Sequence, residues 1–412
     1  MSENDSSPPT LPEKIYRYYS RNGITDLLKE SVPFLTRQIV DRQKVTADEI
    51  IRQTNTHQFW EESKESSFSI SESNNQRLRS EFKPYPKKFN PRPGTVYEIE
   101  DCDLIGPHAI GLYEGKNLIS ETSGFRIGNM FVGSRGEIII HNTKSRFKIG
   151  PSKSKESVFP LISPDPSYYH WMMEYLPKLR LLELYQKETG KEPTLLIESN
   201  PRDFVCDTLK AAGYDSTQYT EWDQQETRVE KLIVTTHRPH IFNYETPELS
   251  NYNPSIRDFS WLRDRMRSNI PDSGTNSDTP EKVYISRQEA SRERKVVNQN
   301  QLKGILEKYG FETYKLETLP FKEQLETFYK ADVIMGPHGA GLLNMIFADD
   351  PTVIELFPES VIKPHFHFLA DMFDFDYTSM ITKSEENNLI IDPDELDELL
   401  SDISDKKSQP AV

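Results

Sequence analysis

IMGPHGAGLLNMIF, residues 334–347, sets three glycines around a histidine, directly after an apolar strand-like run and directly before a helix-like one. Glycine tolerates positive φ and lets other groups approach the backbone closely. A helix start behind such a turn offers free N–H groups and the positive end of the peptide dipoles, which suits an anion such as phosphate. The loop is not a Walker loop, because no Lys-Ser/Thr pair closes it, nor is it a G-x-G-x-x-G fingerprint. It therefore reads as a strand-to-helix turn of an α/β sheet with room for an anion, and its neighbours decide what it holds.

Around it, KVYIS (282–286), FETYKL (311–316), DVIM (332–335) and TVIELF (352–357) alternate with helix-like stretches such as PFKEQLETFYKA (320–331). That alternation predicts a parallel, doubly wound sheet with helices on both faces. The helix after VYIS carries Asn298 as N-cap, Gln301 three residues on and Gly310 past its last turn. Arg287, Arg292 and Arg294 follow the first of these strands, where ligands collect at the carboxyl ends of an open sheet. Guanidinium forks match phosphate oxygens. Glu355 is expected at the end of its strand, accepting hydrogen bonds from ribose hydroxyls.

An earlier half shows the same alternation: a helix over 168–188, PTLLIES, the helix PRDFVCDTLKAAG closed by Gly213, then KLIVTTH. His170 and Glu174 are one helical turn apart and share a face. A carboxylate there fixes the imidazole tautomer and stabilises the imidazolium, which suits a general base. Pro177 removes a helical hydrogen bond and predicts a kink. TVYEIE, NLISET and GEIIIHN, between about 95 and 165, predict a β-meander.

At 412 residues the chain is long enough for two cores. A net charge of −15 opposes nucleic acid, whose binding rests on clustered cations. Cys102 and Cys206 have no disulfide or zinc spacing and fit a reducing compartment. With no signal-like start and no run of about 20 apolar residues, a cytoplasmic protein is expected. Residues 15–40 interleave aromatic, aliphatic and basic residues, either a helix packed on the body or a peripheral contact with the inner membrane face. Residues 53–93 read as a Ser- and Pro-rich linker. The Asp-x-Asp triplets at 101–103 and 374–376 read as chance in a chain with 65 acidic residues.

YYHWMMEYLPKL, YISRQEASRERKVVN and GPHGAGLLNMIFADDPTVIELFP, in that order, resemble family 61 glycosyltransferases over roughly residues 160–360. The resemblance implies a GT-B-like α/β fold, two Rossmann-like domains facing across a cleft, with an N-terminal helical and linker extension. The expected division is 1–94 extension and linker, 95–245 acceptor-side domain, 246–390 nucleotide-sugar-binding domain, and 391–412 helix and tail. It implies inverting transfer from a nucleotide-sugar donor to a glycan or lipid-linked glycan, with no bound metal or other cofactor. Donor and diphosphate binding would fall on Arg287, Arg292, Arg294, Asn298, Gly336, His338, Gly339, Ala340, Gly341, Asn344 and Glu355. Catalysis would fall on His170 and Glu174, with His338 open as an alternative base. A nucleotide-sugar epimerase or a non-catalytic binder of the same fold are the competing readings.

Overall fold

The computed structural model describes residues 44–53, 58–73, 75–83, 85–123, 151, 153–165, 167–238, 240–241, 251–269, 282–290 and 292–408. The 15–40 segment and GEIIIHN lie outside them. No helix among the described residues is long and apolar enough to cross a membrane. The chain divides into two compact units, one drawn from Met1–Phe59, Tyr97–Pro164 and Trp222–Val234, the other from Trp60–Val96, Asp165–Glu221 and Thr235–Val412.

The first unit is built on strands Lys44–Val45, Asn117–Ile119, Ile110–Tyr113, Thr95–Ile105, Thr227–Thr235 and Lys153–Leu161, side by side in that order. The second to fourth form an antiparallel meander that includes TVYEIE and NLISET as expected, with Ile110–Tyr113 between them, a strand not read from the sequence. Trp222 is buried, and its indole N–H donates to the Gly106 carbonyl at 2.8 Å. The DCD triplet lies within the long strand, where Asp103 pairs with Arg228 at 2.6 Å.

The second unit begins with the segment read as a linker, and here the structure corrects that reading. Helix α1 (Gln76–Phe82) is capped by Asn75, whose side chain accepts from the Arg77 and Leu78 N–H groups. Leu78, Phe82, Tyr85 and Phe89 are buried against Phe357 and Phe368. The composition misled because the apolar residues are few and their partners lie far away in sequence. Three remote segments also meet in an ion network: Glu62 and Asp258 both take Arg180, each at 2.7 Å, and Asp258 takes Arg238 at 2.7 Å.

The single helix expected over 168–188 is broken into four pieces. Tyr168–His170 is α-helical, Trp171–Tyr175 is a π-turn, Leu176–Lys178 is a 3-10 turn, and α2 (Leu179–Thr189) resumes the α-helix to Gly190 at φ 68°. Pro177 is the physical reason, because it has no N–H to return, and the Leu176 N–H reaches five residues back to the Trp171 carbonyl. Strand β1 (Thr194–Ile197) runs parallel to β2 (Tyr219–Glu221), with α3 (Asp203–Ala211) between them in sequence. As expected, Gly213 follows α3 with φ 88°. Helix α4 (Ile256–Ser268) starts at Ser255, which accepts from the Asp258 N–H.

The clearest half in sequence is also the most regular in structure. Its elements are β3 (Lys282–Ile285), α5 (Gln299–Lys308), β4 (Glu312–Tyr314), α6 (Phe321–Tyr329), β5 (Val333–Pro337), β6 (Thr352–Pro358), α7 (His365–Met372), β7 (Tyr377–Glu385), β8 (Asn388–Ile390) and α8 (Pro393–Ser408). The sheet order is β4-β3-β5-β6-β7-β8, parallel except for the β7–β8 hairpin. β5 and β6 are buried along their whole length, which is why they read as unbroken apolar runs. The α/β class expected from the sequence is the one observed. Asn298 stands at the start of α5 but does not cap it. Its amide donates to the Ile391 carbonyl at 2.7 Å and its oxygen accepts from the Ile391 N–H at 3.0 Å, fastening α5 to the chain leading into α8.

Candidate active site

The carboxyl ends of β3, β5 and β6 carry the glycine-rich turn and its neighbours. Each glycine there answers a specific crowding. A Cβ on Gly336 would lie 2.8 Å from the Ile285 Cβ and 3.3 Å from its carbonyl oxygen. On Gly341 it would lie 2.8 Å from the Leu316 side chain. On Gly339 it would fall 2.2 Å from Nη1 and 2.9 Å from Cζ of Arg287. The Arg287 guanidinium therefore lies directly on the Gly339 backbone. Its Nη2 donates to the Glu293 carbonyl at 3.2 Å, while its Nε is buried and makes no hydrogen bond. Burial, then Arg294, lowers its pKa to about 10.

Arg287 opens on a 960 Å³ cavity whose other walls are Ile285, the Leu316–Phe321 connection, Pro337, Ala340 and Gly341, with Tyr168, Phe204 and the start of α3. The turn after Gly339 is a 3-10 helix, Ala340–Phe347, where an α-helix was expected. Asn344 in that helix is fully buried and faces protein on both sides. Its oxygen accepts from the Tyr168 hydroxyl at 2.7 Å and its amide donates to Gln324 at 3.0 Å. It thus fixes two side chains of the cavity wall from behind and is not itself among the residues that line the cavity, where a donor contact was expected.

Glu355 also departs from expectation. It sits inside β6, opposite Gly336 in register, and is fully buried. One carboxyl oxygen is hydrogen-bonded to His338 Nδ1, and the other accepts from the Tyr377 hydroxyl at 2.5 Å. Both oxygens are engaged with protein, so the ribose role gives way to one of holding His338. Burial pushes the His338 imidazole well below its usual pKa, with His365 and Arg294 adding to the effect, and pushes the Glu355 carboxyl well above its own. Both groups favour their neutral forms. The His338 ring stacks on Phe357 at 5.4 Å and faces His365 at 5.8 Å.

His170 and Glu174 meet as the spacing predicted, Nδ1 to Oε1 at 2.9 Å. Asp165 lies 3.7 Å from the other ring nitrogen, and the His170 side chain keeps 12% of its surface exposed. Tyr169 joins the two histidines singled out from the sequence: its ring meets His170 edge-on at 5.3 Å and His365 at 5.3 Å, and His365 contacts His338. Burial lowers His365 to a pKa of about 3.

Arg292 and Arg294 line a second cavity, of 480 Å³, together with Glu293, Val361, Lys363 and Asn387. Lys363 and His365 were missed in sequence. The signal was available, since VIKPHFHF follows β6 at the same sheet edge that made Arg287 a candidate. Among the described residues, no group of three or more His, Cys, Asp or Glu is placed to hold a metal ion.

The Glycosyltransferase 61 family profile matches residues 168–354. The EGF domain-specific O-linked N-acetylglucosamine transferase of Bos taurus is 30% identical over 167 residues, 38% of this chain and 31% of that protein. The Rattus norvegicus protein of the same name is 29% identical over 167 residues, with the same coverage, and that of Gallus gallus 36% over 66 residues, 15% of this chain and 12% of that protein. The chain thus spans 31% of the length of the first two relatives. A solved structure, E. coli heptosyltransferase WaaC with ADP, is similar with a TM-score of 0.26 and 10% identity over 55% of this chain and 77% of that one, too loose a likeness to carry an argument. His170, Arg287, the glycine turn and His338 all lie inside residues 168–354, the stretch that matches the glycosyltransferase 61 family profile.

Proposed function

We propose that the protein is an inverting glycosyltransferase that takes a nucleotide sugar, uses no bound metal, and transfers to a hydroxyl of a glycan or lipid-linked glycan. The observation that carries the reading is Arg287 lying across Gly339 at the edge of the 960 Å³ cavity, its Nε without a hydrogen-bond partner. A diphosphate between this guanidinium and the main-chain amides after Gly339 meets the ligand chemistry of both, and the cavity beside Leu316–Phe321 has the size for a nucleoside, with Leu319, Pro320 and Phe321 as apolar wall and Thr318 and Gln324 as polar groups.

In this reading the acceptor hydroxyl gives its proton to Nε2 of His170 as its oxygen attacks the anomeric carbon. Glu174 at Nδ1 sets the tautomer and stabilises the imidazolium. The bond from the anomeric carbon to the diphosphate breaks, and the charge that develops there meets Arg287 and the loop amides, each well-placed donor contributing about 2–4 kcal/mol. His338, nearly buried and turned to Glu355, positions the turn. Peripheral docking on the cytoplasmic face of a membrane through residues 15–40 is part of the same proposal, and loss of liposome binding on deleting them is its check.

Two measurements test the reading. UDP, GDP or CDP at 100 times its dissociation constant should stabilise the fold by about 2.7 kcal/mol in a thermal-shift series, and no shift with any of the three would overturn the donor site. His170→Ala should keep that shift and lose transfer, and undiminished transfer would remove His170 from the mechanism.

A further inference from the structure

The loop that brings Arg287 to the Glu293 carbonyl also walls the 480 Å³ cavity. Three cations, Arg292, Arg294 and Lys363, line that cavity against one carboxylate, Glu293, which itself accepts from Asn387 at 2.7 Å. In a chain of net charge −15 this is a local reversal of sign. The like charges crowd one another: burial, then Arg294 and Arg292, lowers the pKa of the Lys363 ammonium. Such a cluster is relieved when an anion enters it.

Sheet order gives the cluster a direction. Along the carboxyl edge come the Leu316–Phe321 connection after β4, Arg287 after β3, the Gly339 turn after β5, and Val361 and Lys363 after β6. A nucleotide sugar with its base beside the β4 connection and its diphosphate between Arg287 and Gly339 runs on toward the β6 connection. The sugar, then, is the part that arrives at Lys363. On the proposed donor site, the diphosphate already has Arg287 and the main-chain amides.

Resting on that donor-site reading, we propose that the donor sugar carries a carboxylate, as in a nucleoside-diphosphate uronic acid, and that Lys363 with Arg292 and Arg294 binds it. Arg forks take a carboxylate through two parallel hydrogen bonds, which a neutral sugar does not offer.

The test is isothermal titration of the full chain with matched pairs, UDP-glucuronate against UDP-glucose and GDP-mannuronate against GDP-mannose, with UDP and GDP alone as references. The acidic sugar of a pair is expected to bind about tenfold tighter or better. Lys363→Met should bring the pair to within about threefold of each other while the plain diphosphate changes by less than the acidic sugar does. Equal affinity for acidic and neutral sugars overturns the proposal. So does a variant that weakens UDP or GDP as much as the acidic sugar, which would give the cluster to the diphosphate and leave the donor site standing. Absence of binding by every nucleotide sinks both. If Lys363→Met melts early, Arg292→Gln, at an exposed position, carries the same comparison.

Discussion

Gly339→Ala separates the fold from the donor site. The backbone there has φ 175°, extended and open to any residue, so alanine brings no torsional strain. Its Cβ would nonetheless fall 2.2 Å from Arg287 Nη1 and 2.9 Å from Cζ, far inside any real contact. The obstructing atoms are the end of a flexible side chain, so the guanidinium moves and the backbone stays. Alanine also stiffens the unfolded chain, worth about 0.4–1 kcal/mol in favour of folding, so the melting temperature should hardly change. Binding should respond differently. Charge-assisted hydrogen bonds from one Arg contribute about 1.5–3 kcal/mol, so displacing Arg287 should weaken UDP or GDP by roughly tenfold to 150-fold. Arg287→Ala should match it, and the double variant should lose no more than the worse single one, because both remove the same contact. Calorimetric titration of the three variants, with melts alongside, measures all of this. Wild-type affinity in Gly339→Ala, or losses that add in the double variant, would refute the placement of Arg287. Gly336→Ala supplies the contrast: its neighbours include the Ile285 carbonyl, which cannot swing aside, so stability should fall by about 1–3 kcal/mol.

Glu174→Gln should lower kcat by about 10²–10⁴ with nucleotide affinity kept, read from steady-state kinetics and titration, and a change confined to KM would argue for a structural role. Tyr168→Phe leaves the buried Asn344 oxygen without its donor and should cost about 1–3 kcal/mol by urea denaturation; no cost would mean the amide finds another partner. His365 gives a pH signature. Its folded pKa, about 3, lies below the unfolded 6.5, so on acidification the unfolded chain takes the proton first and stability falls from pH 6.5 downward. That amounts to about 2 kcal/mol between pH 6.5 and 5. His338 acts in the same direction, and the raised Glu355 carboxyl acts oppositely, since its stabilising protonation is lost as pH rises above 4.5. The difference between wild type and His365→Gln isolates the one histidine, and identical pH slopes would refute its buried, neutral state.

What the sequence disclosed was whatever depends on neighbours along the chain. The His170–Glu174 contact follows from helical spacing, and Gly213 and Gly310 end their helices where they should. Buried strands such as Thr352–Pro358 announce themselves as apolar runs. What stayed hidden depends on which strands lie side by side. Glu355 looked like a ribose ligand because its strand seemed to stop there, and only the pairing of Gly336 with Glu355 brings it beside His338. Asn344 and Asn298 looked free for a ligand, yet each is engaged by residues 20 to 176 positions away. Lys363 was passed over because no glycine marks its loop.

The Arg180 network has a practical consequence for anyone trimming this chain. The family match begins at residue 168, so it keeps Arg180 and Asp258 but discards Glu62, whose carboxylate grips Arg180 in a setting only 11–13% exposed. Without Glu62, Arg180 keeps only Asp258, and losing one of two partners of a part-buried charge costs about 1–3 kcal/mol, a sizeable share of the stability margin of an ordinary domain. Loss of activity on N-terminal truncation would therefore report a weakened scaffold along with any change in chemistry. The leading arm is a brace for the fold that carries the site.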